Sequence, residues 1–366
     1  MDRIKIGITH GDMNGIGYEV ILKTIADERL ADFCTLIVYG SQKTALYHQK
    51  VMDLPPINFK TINKAEEAVD GKISLLNCVD ENLKIEFGRS TPEAGLAAFK
   101  ALETAVSDLK RGAIHTLLTA PINKYNIHSE QFNFAGHTEY LEKIFDGGGK
   151  HKTLMIMTGD SLRIALVTTH VPLSEVKTQL TREAIVEKIS LFNTSLIQDF
   201  GVIKPRIAVL ALNPHAGDKG LLGNEEETIL IPAIADAEKH GITAFGPYPA
   251  DGFFGSQSWQ RFDGILAMYH DQGLIPFKLL AMENGVNYTA GLPVVRTSPA
   301  HGTAYDIAGQ NIASEMSFRN ALYVSIDIYR NRKSYREMKA NPLRKYYVDR
   351  GGDNVKLDLM VEEPNE

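Results

Sequence analysis

The sequence predicts a two-domain α/β protein whose mostly parallel sheets carry helices on both faces. Three observations lead there. Short apolar runs alternate with longer amphipathic segments, the order that builds a parallel sheet. Several of those runs are continuous rather than alternating, as strands buried on both faces read. The 366 residues exceed the roughly 100–200 of a single domain. Two units follow: residues 1–125 together with about 290–366, and residues about 126–289.

The apolar runs place strands at residues 4–8, 35–39, 73–76, 114–118, 153–157, 163–167, 206–210, 264–268 and 286–289. The clearest helix spans residues 91–111. Ser90 and Glu93 have capping-box spacing, Pro92 suits a first turn and Gly112 follows the end. Leu96, Phe99, Leu102, Val106 and Leu109 recur at helical spacing within it. Segments 181–198, 225–240 and 316–333 read the same way. Organisation breaks near residues 120–150, where Gly147, Gly148 and Gly149 form a candidate hinge. The tail beyond Asn341 is polar, and residues 362–366 are expected to fray.

The charge balance narrows the function. A net charge of −6, with no long basic run, argues against general nucleic-acid binding and leaves room for a local basic pocket. No apolar run approaches the ~20 residues of a membrane span, and the N-terminus lacks the form of a signal peptide. Cys34 and Cys78 have no CxxC spacing and read as buried free thiols of a cytoplasmic protein.

Three stretches end alike. "RIALVTTH" closes on His170, "RIAVLALNPH" on His215 and "GILAMYH" on His270. Parallel strands present their C-terminal ends along one edge, where ligands bind. Three imidazoles delivered there suit a divalent cation with an open coordination position. Taken singly, each histidine reads rather as a loop side chain bonded to a carbonyl; the shared context favours metal. His10, His137 and His301 sit in similar loops and compete for the role. Asp271 is placed to orient His270, and Gly273 to let the chain turn away.

Anion-binding loops are the second signal. "THGDMNGIGYE" has a GxxxGxG spacing, which is neither a Walker loop nor GxGxxG. It serves as an anion cradle or simply as a tight turn. His137 and Thr138 open a helix after Gly136, where a helix N-terminus favours an anion. Lys278, Asn287 and Arg296 recur at intervals of nine, so they meet only if the chain folds back through Gly285 and Gly291–Pro293. Lysine and arginine suit phosphate, the arginine in bidentate fashion.

"GDMNGIGYEV", "TAPINK", "GHTEYL", "NPHAGDKGLLGNEE", "GPYPAD", "MYHDQGLIPFK" and "GVNYTAGLPVVRTSPAHGTAYDIAG" together resemble the signature blocks of the 4-hydroxythreonine-4-phosphate dehydrogenase family of vitamin B6 (pyridoxal phosphate) biosynthesis. The resemblance runs from residue 10 to about 310. It implies a fold like that of isocitrate and isopropylmalate dehydrogenases, with the active site in the interdomain cleft. It also implies a homodimer with a shared site, in which His170, His215 and His270 bind zinc, cobalt or magnesium and one of them comes from the partner. Substrate contacts carry over to His137, Thr138, Lys278, Asn287 and Arg296. "HGTAYDIAGQNIA" looks like an adenosine-binding loop, which assigns His301, Gly302, Ala304 and Asp306 to NAD, or to NADP. A carboxylate at Asp306 would accept from ribose hydroxyls and repel a 2′-phosphate, favouring NAD. The chain departs from the family at Met13-Asn14, where Pro-Ala is common, and at Asp251-Gly252, where Asp-Thr is common.

The implied activity is NAD-dependent oxidation of 4-phosphohydroxy-L-threonine at C3, with decarboxylation to 3-amino-2-oxopropyl phosphate. Asp251, Lys278 or a metal-bound water would take the alcohol proton. Threonate or erythronate 4-phosphate is the alternative substrate. A metal-dependent hydrolase or aldolase and a non-enzymatic phosphosugar-binding protein are the rival classes.

Overall fold

In the computed structural model, which describes residues 3–27, 29–145 and 152–342, twelve strands join in one sheet. They are β1 (Ile4–Thr9), β2 (Cys34–Gly40), β3 (Lys60–Ile62), β4 (Ile73–Asn77), β5 (Thr116–Thr119), β6 (Leu154–Gly159), β7 (Leu162–Leu166), β8 (Arg206–Leu210), β9 (Thr243–Tyr248), β10 (Gly264–Ala267), β11 (Val286–Ala290) and β12 (Val295–Pro299). Their order is β3-β4-β2-β1-β5-β12-β11-β6-β7-β10-β8-β9. Pairing is parallel except at β12·β11, β11·β6 and β6·β7. The expected strands are present, in one continuous sheet. β3, β9 and β12 were not read from the sequence. β3 is only three residues long and mostly exposed. β9 is broken by Pro247 and half exposed, and Pro293 and Pro299 flank or close β12.

The continuous apolar runs behave as expected: every residue of β2 is buried. Two apolar clusters centre on β1, β2 and β5 and the helices around them. Two others centre on β7, β8 and β10. The Pro92–Lys110 helix differs from expectation at its start. Its cap is Thr91, whose hydroxyl accepts from the Ala94 amide at 3.3 Å. Proline takes the first helical position, so the residue before it must be the cap, and the Ser90–Glu93 box does not form. Leu96 turns out of the core, at 53% exposed. The Met316–Ala340 helix runs beyond the expected residue 333. The candidate glycine hinge and the polar tail beyond residue 342 lie outside the described residues.

One buried ion cluster fastens that last helix. Asp199 accepts from Arg332 Nε at 2.6 Å, Tyr288 Oη at 2.7 Å and Ser195 Oγ at 2.7 Å. Arg332 Nη1 also donates to the carbonyls of Leu292 and Val294. The cluster therefore ties two helices to β11 and to the turn that precedes β12.

Candidate functional site: a cationic cleft over the central strands

The reversal at β11 and β12 makes the floor of a cleft. Side chains alternate between faces of a strand, and the register pairs Asn287 with both Ser298 and Met157, and Thr289 with Met155. Arg296 and Ser298 of β12, Asn287 of β11 and Met155 and Met157 of β6 thus share one face, and all line a cleft of about 290 Å³. The chain folds back between Ala290 and Val295, so Asn287 and Arg296 meet as neighbours in the hairpin. Lys278 and His270 reach the cleft from the helix His270–Ala281, and His301 and Gly302 from the end of β12.

Arg296 dominates the electrostatics. It is 3% exposed, and among the described residues no carboxylate lies within ion-pair distance. Its Nε and Nη2 donate to Thr119 Oγ1 at 3.1 and 2.7 Å, and Nη1 donates to Thr289 Oγ1 at 3.3 Å. Burial lowers its pKa to about 10, so it remains a cation at neutral pH. His137 opens the His137–Phe145 helix beside it. Burial, then the nearby Arg296 and Lys124 cations, hold His137 well below the ordinary imidazole value. It is neutral, and its buried Nε2 has no partner. The buried Asn287 Oδ1 is likewise unpartnered. A buried cation beside unfilled polar atoms is a site built for a polar, anionic ligand. Thr138 stands just behind it, 3.5 Å from the Thr289 hydroxyl.

The histidines follow the strands. β7, β10 and β8 are adjacent and mutually parallel, so His170, His270 and His215 leave the same edge. The rings of His170 and His270 stand 6.0 Å apart. Nδ1 of His270 meets Asp271 Oδ1 at 2.7 Å, and Nδ1 of His170 faces Glu139 Oε1 at 3.8 Å. Carboxylates on Nδ1 are the usual support of ligand imidazoles. Lys124 Nζ stands 3.5 Å from Nε2 of His170. Glu139 and Lys124 join the site; their places within "GHTEYL" and "TAPINK" were the available signal. His215 is exposed on the loop after β8, which the buried Glu226 organises by accepting from the Leu212 and Asn213 amides. The donor chemistry fits a divalent cation. Among the described residues, however, no three of His, Cys, Asp or Glu gather as a single cage.

Other expectations move. Gly273 is not a turn: it lies within the His270–Ala281 helix. A Cβ there would come within 2.8 Å of Leu166 and 2.9 Å of Ile164, so this glycine lets the helix pack on β7. His10 is buried and stacks on Tyr18, with ring centres 5.1 Å apart, away from the cleft. Asp251 is exposed in the Ala250–Gly255 helix and does not line the cleft. The glycine loop after β1 is filled by the protein itself. Gly11 has φ +69, and a Cβ there would meet Pro121 O at 2.3 Å. The Met13 side chain is buried in the core. Asn14 accepts from the Glu86 amide and donates to Arg89 O and Thr91 Oγ1.

The segment 301–306 has room for a cofactor. Nothing lies within 4 Å of a Cβ placed on Gly302, the buried His301 Nε2 lacks a partner, and Asp306 is exposed. Ala304 adopts φ +43 at the start of the Tyr305–Ile307 turn.

Over residues 32–325 the chain matches the family described as Pyridoxal phosphate biosynthetic protein PdxA. It is 56% identical over 364 residues to the 4-hydroxythreonine-4-phosphate dehydrogenase of Bacteroides thetaiotaomicron, with 99% of each chain covered. A relative from Oceanobacillus iheyensis, provisionally named D-threonate 4-phosphate dehydrogenase, is 38% identical over 88% of this chain and 97% of its own. The crystal structure of 4-hydroxythreonine-4-phosphate dehydrogenase from Klebsiella pneumoniae superposes with a TM-score of 0.77 at 33% identity, covering 90% of this chain and 100% of that one.

Proposed function

The chain belongs to the Pyridoxal phosphate biosynthetic protein PdxA family, and from that premise we propose that it is a dehydrogenase that oxidises 4-phosphohydroxy-L-threonine at C3. The product 3-oxo acid loses CO2 to leave 3-amino-2-oxopropyl phosphate. The observation that carries the reading is the buried, unpaired Arg296 on the floor of a cleft that Lys278 and Lys124 also line.

Arg296, with Lys278, holds the phosphate or carboxylate of the substrate; the planar guanidinium suits a bidentate oxyanion. Thr119 and Thr289 fix the plane of that guanidinium. His137 is neutral, and in the tautomer with its proton on Nδ1 its unpartnered Nε2 accepts a hydrogen bond from a substrate O–H or N–H. The Asn287 Oδ1 atom is a second such acceptor. Of the candidates for taking the C3 hydroxyl proton, Lys278 lines the cleft and Asp251 does not, which leaves a neutral Lys278 or a metal-bound water for that role. Residues 301–306 would hold a nicotinamide dinucleotide, which would supply the hydride acceptor, and the exposed Asp306 would favour NAD over NADP. A divalent zinc, cobalt or magnesium ion held by His170, His270 and His215 would supply Lewis acidity toward the C3 oxygen.

Two features support a homodimer. The helix bearing His270 and Lys278 exposes Ile275, Leu279 and Met282 at 59%, 82% and 46%, a stripe at helical spacing. The three histidines do not form a cage within one chain. The described residues contain no helix long and apolar enough to cross a membrane, and both cysteines are free thiols; these support a cytoplasmic site of action.

Turnover of NAD is the test, compared across 4-phosphohydroxythreonine, threonate 4-phosphate and erythronate 4-phosphate with each metal. NADH formed fastest from the first is expected. NADH formed only from threonate or erythronate phosphate would move the chain to the relative's substrate class. No NADH from any of the three would end the dehydrogenase reading.

A further inference from the structure

The glycine loop after β1 was singled out by sequence and left without a ligand by the structure. Its contacts give it another task. Ile16 N donates to Thr303 O at 3.0 Å. Gly15 lies so close beneath that a Cβ would stand 2.7 Å from the same carbonyl and 3.1 Å from Thr303 Cβ. Asp12 is 1% exposed and accepts from Tyr305 Oη at 2.7 Å and from Asn126 Nδ2 at 2.7 Å. Its other oxygen accepts from the Asn14 amide at 2.9 Å. The loop is therefore a platform: a buried carboxylate grips one side of segment 301–307, and a missing side chain lets the other side come down.

We propose that Asp12, Gly15 and Tyr305 are positioning residues for a dinucleotide, clamping segment 301–307 onto the glycine loop so that His301, Gly302 and Asp306 are held in place before the cofactor arrives. The inference rests on the assignment of that segment to the cofactor. Order already present in the free protein does not have to be acquired on binding, so affinity rises without any contact to the ligand. Tyr305 faces away, into Asp12, and acts only through the segment it holds. Burial and the adjacent Asp12 carboxylate raise its pKa, which keeps it a donor through the working pH range.

Tyr305→Phe removes one hydroxyl and no volume; Gly15→Ala wedges the platform. NADH binding to the purified full-length protein, read by NADH fluorescence without substrate, should weaken about tenfold in each variant, the scale of one hydrogen bond to a charged group. KM for NAD should rise in step, with kcat within about twofold. The thermal shift produced by inorganic phosphate should stay as in wild type. Unchanged NADH affinity in Tyr305→Phe and Gly15→Ala overturns the proposal. Asp306→Ala then says how far the failure reaches. If it weakens NADH, the segment still binds cofactor and only the clamp is wrong. If it too leaves NADH unaffected, the cofactor assignment falls with the clamp.

Discussion

Arg296→Met separates a residue kept for stability from one kept for its ligand. The guanidinium is 3% exposed, and burial moves its pKa from 12.5 to about 10. The folded-state value lies below the unfolded one, so the charged form is disfavoured by folding, and the full cost is present at every pH below about 10. That shift corresponds to about 3 kcal/mol at about 1.4 kcal/mol per unit. Methionine removes the cost and keeps most of the volume. It also removes the bonds to Thr119 and Thr289, a loss of about 1–3 kcal/mol. The two effects nearly cancel. Denaturant unfolding without ligand should therefore place the variant within about 1.5 kcal/mol of wild type, where breaking a well-paired buried ion pair costs about 3–5 kcal/mol. Inorganic phosphate should then stabilise wild type by mass action and leave the variant unmoved. A variant that unfolds like a broken ion pair, or one that phosphate stabilises as well as wild type, would refute this account of Arg296.

The chemistry opposite is predicted for Asp199→Ala: it strands Arg332 and Tyr288 inside the protein and should cost about 3–5 kcal/mol, measured by urea unfolding. His48 is fully buried between Tyr18 and Phe87, and burial lowers its pKa to about 3. Because the folded value lies below the unfolded 6.5, its contribution is complete above pH 6.5 and is lost as pH falls toward 3. His48→Phe should thus lose about 2 kcal/mol less than wild type between pH 7 and pH 5, and identical losses would contradict it. His215→Ala should keep the circular dichroism and melting profile of wild type while turnover and cobalt binding, read by visible absorption, disappear. Full activity in that variant would remove the metal assignment.

The strands were legible because burial on both faces writes itself as an unbroken apolar run, as in β2 and β8. The short, half-exposed or proline-marked strands β3, β9 and β12 leave no such trace. β12 carried the greater consequence. Without it, Asn287 and Arg296 had no common face, and their meeting could be expected only as a fold-back at glycine. Glycine itself was the least legible residue. Gly273 and Gly15 read as turns or anion loops, yet each is there because a neighbour's side chain or carbonyl occupies the place of a Cβ. That neighbour is distant in sequence for Gly15, where Thr303 is the obstacle, and no local pattern reports it.

The departures from the family pattern at positions 13, 14 and 252 left the substrate open, and the structure gives the first two structural roles. Met13 is core, Asn14 staples the segment 86–91, and a Cβ on Gly252 would meet nothing within 4 Å. Discrimination must come from the cleft. Hydroxythreonine phosphate and threonate phosphate differ at C2, an ammonium in one and a hydroxyl in the other. Lys124, Lys278 and Arg296 disfavour any added cation, and the Glu139 carboxylate beside His170 offsets them only in part. Asn287 Oδ1 and, in the tautomer with its proton on Nδ1, the neutral His137 Nε2 are unpartnered acceptors for an ammonium. A hydroxyl would use one of them as acceptor and leave the other bare in a buried place, at about 1–3 kcal/mol. Under the proposed function, a preference for the amino acid over the hydroxy acid would rest on keeping His137 unprotonated, which burial, with Arg296 and Lys124, does.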